Sequence, residues 1–269
     1  MSELDSKICI TSVRASVQAL AGIGGSASID APNSLITALG EKKLSGRFID
    51  RALIYNPDAV ALWLYQKYTD LFTAAALNSD LAIPMCSVMP SVTPVCFASM
   101  YTGVMPEVHG IRKYEKPVLK TETLFDAYLA AGKRAAIVST SGDSISKIFL
   151  EREMDYYIHD TVEEVNRCAM DLIEEDQYDL IVVYNGNYDG TMHKCGTESE
   201  QALAALRQNV AFYAELVEKI RTSWRDHDVF YGFCPDHGCH EIDAECGSHG
   251  LDMPEDMNVI HFYGIHAAE

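Results

Sequence analysis

Three observations predict an α/β fold with a mostly parallel central sheet and helices on both faces. Short apolar runs alternate with helix-periodic segments along the chain, the order that builds βαβ units. The apolar runs are bounded by turn residues and are short enough for buried strands. The chain has 269 residues and 48% hydrophobic content, enough to cover a sheet on two sides.

Residues 1–48 carry the least pattern and are set apart as an N-terminal segment, with 49–269 as the main domain. The stretch AGIGGSAS is glycine-rich, but no strand precedes it and no Lys-Ser/Thr follows. It therefore reads as a helix end or turn rather than a phosphate-binding loop. Ala52–Asn56 is a short apolar run closed by Asn-Pro and reads as a buried strand. Ala59–Phe72 is apolar at helical spacing. Residues 81–106 form a long uncharged run, but Pro84, Pro90, Pro94 and Pro106 exclude a membrane span. It divides into a strand, Leu81–Met89, a loop, and a helix opening at Thr93–Tyr101. A helix over Leu124–Ala131 ends at Gly132, and Arg134–Ser139 is a strand. Thr161 with Glu164 forms a capping box at the head of a helix to Glu175. Leu180–Tyr184 is a strand, Glu198–Arg225 contains a long helix, and Val229–Cys234 and Val259–Gly264 are late strands.

Lys and Arg number 21 against 39 Asp and Glu, a net charge of −18. Such a chain is unsuited to nucleic-acid backbones or anionic membranes. A small phosphate ligand is still compatible, because bound cations can invert the local field. The opening MSELDSKICI has charges where a secretory signal would be apolar, which predicts a cytoplasmic protein with eight reduced cysteines. Cys234, Cys239 and Cys246 beside His237 and His240 would permit a structural zinc site, but without the paired C-x2-C spacing. Thiols packed around another site are the preferred reading. Oligomeric state is open, with a homo-oligomer among the options.

The residues after the strands carry the chemistry. Asp58 follows Ala52–Asn56 and Thr93 follows Leu81–Met89. Asp189 follows Leu180–Tyr184, with His193 four residues on. Asp236-His237-Gly238 follows Val229–Cys234, and His249 lies in the loop before the last strand. In a parallel sheet such loops converge on one edge. Three Asp, three His and a hydroxyl make a mixed oxygen and nitrogen donor set suited to Zn²⁺, with Mn²⁺ as the alternative. Two divalent cations against three carboxylates leave a site able to receive phosphate. Thr93-Pro94 reads as N-cap and N1, which puts the Thr93 hydroxyl at the positive end of a helix, where a cation would make it a nucleophile. His109 is expected to hold a turn. Singly, an Asp at a strand end is an ordinary cap or turn residue. The conjunction over five loops is what points to a metal site.

Four motifs carry a resemblance. PSVTPVCFASMYTGVMPEVHGI (Pro90–Ile111) is similar to the nucleophile segment of the alkaline phosphatase superfamily. YDGTMH (Tyr188–His193), PDHG (Pro235–Gly238) and SHG (Ser248–Gly250) are similar to its ligand motifs. The branch most resembled is the type I phosphodiesterase/nucleotide pyrophosphatase group, over about residues 50–265. The resemblance implies an alkaline phosphatase-like domain over 49–269 and two divalent cations; the short stretch between Thr93 and Asp189 leaves room for only a minimal cap. Asp189, His193 and His249 would hold one; Asp58, Asp236, His237 and the Thr93 oxygen would hold the other. It implies hydrolysis of a small phosphate ester through a covalent phosphothreonine at Thr93. A monoesterase or phosphonate hydrolase on the same site is the alternative, and a non-catalytic metal-binding protein a further one. Two positions depart from the pattern. Cys96 stands where many phosphodiesterases have an Asn, and Ala59 follows Asp58 where a Gly is usual. The Cys-x-Pro-x-Arg signature of the sulfatase branch does not occur.

Overall fold

Consecutive residues of the first strand bury their side chains on opposite faces. Ala52 and Ile54 enter one core, Leu53 and Tyr55 the other, and all four are fully buried. Period-two projection makes one strand serve two layers. The protein, seen here as a computed structural model, is described over residues 8–25, 28–243 and 245–269.

The chain begins with α1 (Ser12–Leu20) and α2 (Ser34–Leu44) and enters the sheet at β1 (Arg51–Pro57). Then come α3 (Leu62–Lys67), a short 3₁₀ turn (Thr69–Phe72), α4 (Thr73–Leu77), β2 (Leu81–Cys86), α5 (Thr93–Thr102) and α6 (Pro106–His109). The middle runs α7 (Leu124–Ala130), β3 (Ala135–Thr140), α8 (Ile145–Ile148), β4 (Asp155–His159), α9 (Val162–Glu175) and β5 (Leu180–Asn185). The last third holds α10 (Asn187–Cys195), α11 (Glu200–Ser223), β6 (Val229–Phe233), β7 (His240–Asp243), β8 (Cys246–Ser248), α12 (Pro254–Met257) and β9 (Asn258–His266).

The described residues form a seven-stranded sheet in the order β2-β9-β6-β1-β5-β3-β4, with β7 and β8 as a separate antiparallel pair. The pairings of β1 with β5 and β6, and of β3 with β4 and β5, are parallel. β9 runs antiparallel to both β6 and β2. α1, α2, α5, α7 and α8 supply the helical side of one core, α3, α4, α9 and α11 the other. Each Leu, Ile, Val or Phe buried in these layers contributes about 1.5–3 kcal/mol relative to exposure. The predicted α/β architecture is therefore the observed one. The described N-terminal helices share the core of the rest: Ile10, Val13, Val17, Ile36 and Leu39 pack in the same cluster as α5 and β9.

Local readings differ at several points. The apolar stretch Ala59–Phe72 is not one helix but α3, a 3₁₀ turn and the start of α4, the break falling at Tyr68 (φ −119°, ψ 44°). The strand expected to Met89 ends at Cys86, because Ser87 begins the loop to α5. β4 was not read from the sequence: DYYIH lies at the sheet edge and is only partly buried, so it lacks an apolar run. Thr93 is the first residue of α5, and Val92 holds the N-cap position in extended geometry. The capping box of Thr161 and Glu164 is present as predicted, and a second one, Thr123 with Asp126, opens α7. AGIGGSAS follows the end of α1, although its Ser26 and Ala27 lie outside the described residues.

Candidate metal centre and active site

Four of the loops converge as the parallel strands require: those after β1, β2, β5 and β6. His249 arrives by a different route. It precedes β9, and the loop before a parallel strand would sit on the opposite edge. Because β9 is antiparallel, its entrance lies at the edge where the other strands end.

Two donor groups result. Asp58, Asp236 and His237 form a fully buried one; Asp189, His193 and His249 form a partly buried one. Within each group the potential donor atoms lie within 4.8 Å of one another. The groups adjoin, since the His237 and His249 rings stack with centroids 4.0 Å apart. α10 sets the second group locally: Asp189 and His193, four residues apart, share one helix face, with His193 Nε2 3.2 Å from Asp189 Oδ1. His249 Nε2 reaches the same oxygen at 3.4 Å. In the first group His237 Nε2 is 3.3 Å from Asp58 Oδ1 and 3.4 Å from Asp236 Oδ2. Thr93 Oγ1 lies 3.3 Å from both Asp58 Oδ2 and His237 Nε2.

All three histidines are oriented alike. Nδ1 of His193 faces Gly247 O at 2.9 Å, that of His237 faces Gly238 O at 2.9 Å, and that of His249 faces Ser91 O at 3.0 Å. A carbonyl only accepts, so each Nδ1 carries a proton, and each Nε2 is the ring nitrogen left to offer a lone pair to the interior of the site when the ring is neutral. Opposite these nitrogens, Asp58 Oδ1, Asp189 Oδ1 and both oxygens of Asp236 are buried without a hydrogen-bond partner. Buried acceptors facing acceptors are costly unless a cation sits between them. The residues present therefore fit divalent cations.

The electrostatics agree. Burial, then the charge of Asp189, pushes the Asp58 carboxyl up to about 7. Burial and Asp58 push Asp236 well above its usual range. Burial also acts to raise Asp189, but His193 and His249 outweigh it and hold that carboxyl below the usual value. His237 is lowered by burial and by His249. His193 is raised by Asp189; for His249, burial lowers it and Asp189 more than compensates. Carboxylates packed this closely oppose one another's ionisation, which divalent cations would relieve.

The two departures from the family pattern have structural readings. Ala59 adopts φ +63°, the left-handed region that glycine occupies without strain, so the usual Gly has a backbone reason. Cys96 is fully buried with Sγ against Ser87 Oγ at 3.1 Å, and near Val88 O and Pro90 O. It faces the β2–α5 connection. His109 holds a turn, its Nδ1 accepting from the Ile111 N–H at 3.2 Å and its Nε2 meeting Ser99 Oγ at 2.9 Å. The cysteines near His237 are dispersed: Cys234 lies in the core, Cys239 beside the Tyr188 hydroxyl, and neither is in a metal-capable group among the described residues.

Several residues at the site went unread in the sequence. The Tyr184 hydroxyl donates to Asp58 Oδ2 at 2.5 Å. Ser87 Oγ donates to Asp236 O at 2.6 Å, and His261 Nε2 to Pro235 O at 2.7 Å, which fixes the Asp236–His237 turn from below. Tyr184 had a usable signal: it ends a strand on the same face as Ile54, with a polar tip. Ser87 and His261 had none.

No curated protein sequence matches the chain. Among solved structures, it is similar to phosphonoacetate hydrolase from Sinorhizobium meliloti 1021 in complex with phosphonoformate, at 18% identity and a TM-score of 0.56, covering 76% of this chain. The chain spans 61% of that hydrolase. It is also similar to murine ectonucleotide pyrophosphatase/phosphodiesterase 5, at 14% identity and a TM-score of 0.59, covering 81% of this chain and 88% of that one. The human protein of that name gives 11% identity and a TM-score of 0.61 over the same shares. At these identities the likeness is one of fold. The sequence profile of one family matches residues 60–258, most of the chain, and the chain belongs to that family, the type I phosphodiesterase/nucleotide pyrophosphatases.

Proposed function

We propose that the protein hydrolyses small phosphoesters, as a phosphodiesterase or nucleotide pyrophosphatase, with two divalent cations and a covalent phosphothreonine at Thr93. The observation that best supports this is the facing of unpartnered carboxylate oxygens and imidazole Nε2 atoms, with the Thr93 hydroxyl beside them. Asp189, His193 and His249 would hold one ion, and Asp58, Asp236, His237 and Thr93 the other. The nitrogen and oxygen donors suit Zn²⁺ first and Mn²⁺ second. When bound, the ions supply charge neutralisation at the phosphoryl oxygens and a lowered pKa at the Thr93 hydroxyl.

Thr93 Oγ1 attacks phosphorus in line, and the ester oxygen opposite leaves. The hydroxyl proton is directed at Asp58 Oδ2. Asp58 N–H donates to Asn185 O at 3.0 Å, which fixes the backbone that carries this acceptor. Water then cleaves the phosphothreonine bond and restores Thr93. The net charge of −18 directs the site to small substrates rather than polyanions. No helix among the described residues is long and apolar enough to cross a membrane.

Hydrolysis of phosphomonoesters or phosphonates on the same site is the second reading. It is favoured by Cys96, which is buried in α5 against the β2–α5 connection and offers the substrate no amide. The phosphonoacetate hydrolase fold similarity accords with it. The test is hydrolysis of a chromogenic phosphodiester and the matching monoester by metal-stripped protein resupplied with Zn²⁺ or Mn²⁺. Diester turnover supports the first reading and monoester preference the second. Two bound ions without turnover of either would favour a non-catalytic metal-binding protein.

A further inference from the structure

One fully buried carboxyl group outside both donor groups touches one ligand-bearing loop of each. Asp256, in α12, accepts at Oδ2 from the Leu251 N–H at 2.8 Å, two residues beyond His249. Its Oδ1 meets His240 Nδ1 at 2.8 Å, three residues beyond His237. Its backbone carbonyl accepts from the Gly238 N–H at 2.7 Å, next to His237 itself. This approach requires glycine: a Cβ on residue 238 would stand 2.0 Å from Glu255 O. His240 also opens β7, whose partner β8 presents Gly247 O to His193 Nδ1. The contacts of Asp256 thus extend to the surroundings of all three candidate histidine ligands.

Packing alone does not account for an acid here. Burying a carboxyl group costs several kcal/mol unless donors satisfy it, and an apolar residue of similar size would fill the space. Both Asp256 oxygens are satisfied, each by a different loop. We propose that Asp256 is a positioning residue that holds the His249 loop at a fixed distance from the Asp236–His237 turn and so sets the cation affinity of both donor groups. The proposal rests on the two-cation reading above. Residues that orient metal ligands from behind typically change affinity by about 10–100-fold when removed.

The test is Zn²⁺ titration against a chromophoric chelator, with wild type, Asp256→Ala, Asp256→Asn and His240→Ala, alongside thermal melts in metal-free buffer. Asp256→Ala is expected to bind Zn²⁺ about 10–100-fold more weakly while still melting cooperatively without metal. Asp256→Asn keeps an oxygen for the Leu251 N–H and is expected to recover part of the affinity. His240→Ala leaves the Leu251 bond intact and serves if Asp256→Ala fails to fold; it is expected to weaken binding by roughly tenfold. Wild-type affinity for two ions in His240→Ala and in a folded Asp256 variant would overturn the positioning role and leave the two-cation reading standing. A wild-type protein that takes up no Zn²⁺ would overturn both.

Discussion

The Tyr184 hydroxyl donates at 2.5 Å to Asp58 Oδ2, the oxygen that the Thr93 hydroxyl also reaches, at 3.3 Å. Tyr184 thereby orients Asp58 so that its other oxygen, which has no hydrogen-bond partner, faces His237. Tyr184→Phe removes the donor and keeps the ring packed against Phe97. Turnover at saturating Zn²⁺ is expected to fall about 10–100-fold, with the larger share in kcat. Steady-state kinetics on the better chromogenic ester check it, and unchanged kcat would remove Tyr184 from the site.

Thr93→Ala is expected to abolish turnover and leave most metal binding, because the six Asp and His candidates are untouched. Metal content by elemental analysis and turnover on the same sample separate the two effects. Intact-mass analysis of wild type quenched during turnover is expected to show a phosphorylated species that Thr93→Ala lacks. Near wild-type activity in Thr93→Ala would refute the nucleophile assignment.

In metal-stripped protein the stability contributed by Asp58 and Asp236 is expected to fall as pH rises from about 4 to about 7. Asp58 moves from 3.8 to about 7 on folding, and Asp236 shifts in the same direction. Between those values these two groups bind more protons in the folded state than in the unfolded state, so their share of the unfolding free energy falls with rising pH. Asp189 has the opposite sign below the ordinary carboxylate range, and His237, His109 and His261, all lowered by burial, oppose the fall between about 4 and 6.5. Zn²⁺ displaces these protons and is expected to remove the fall. Thermal melts of wild type and Asp58→Asn across this range, in chelator and in Zn²⁺, measure it; a difference in Tm between the two stripped proteins that does not change with pH would contradict the assignment.

Ala59→Gly is expected to stabilise the fold. Ala59 sits at φ +63°, where an L side chain costs about 1–2 kcal/mol, partly offset by the greater unfolded-state freedom of glycine. The net gain is expected to be roughly 0.5–1 kcal/mol, read from urea denaturation midpoints. No gain, or a loss, would show that the Ala59 methyl, fully buried, offsets the strain by packing.

Much of the site was legible because its signals are local. Asp58, Thr93, Asp189 and Asp236-His237 each follow an apolar run that a buried strand dictates, and the four-residue spacing of Asp189 and His193 suits one helix face. The sequence alone determined the α/β class, the strand-end position of these residues and the family motifs. Tertiary structure decided the rest. His249 reaches the site only because β9 is antiparallel, and strand direction depends on a crossover that no local window contains. Tyr184 meets Asp58 across 126 residues of chain, and His249 meets Ser91 across 158. Such contacts follow from the packing of whole layers, whereas hydrophobic period and turn chemistry act over only a few residues. The candidate ligand types were therefore readable before folding, but the orientation of each imidazole, and the contacts of Tyr184 and Asp256, exist only in the folded chain.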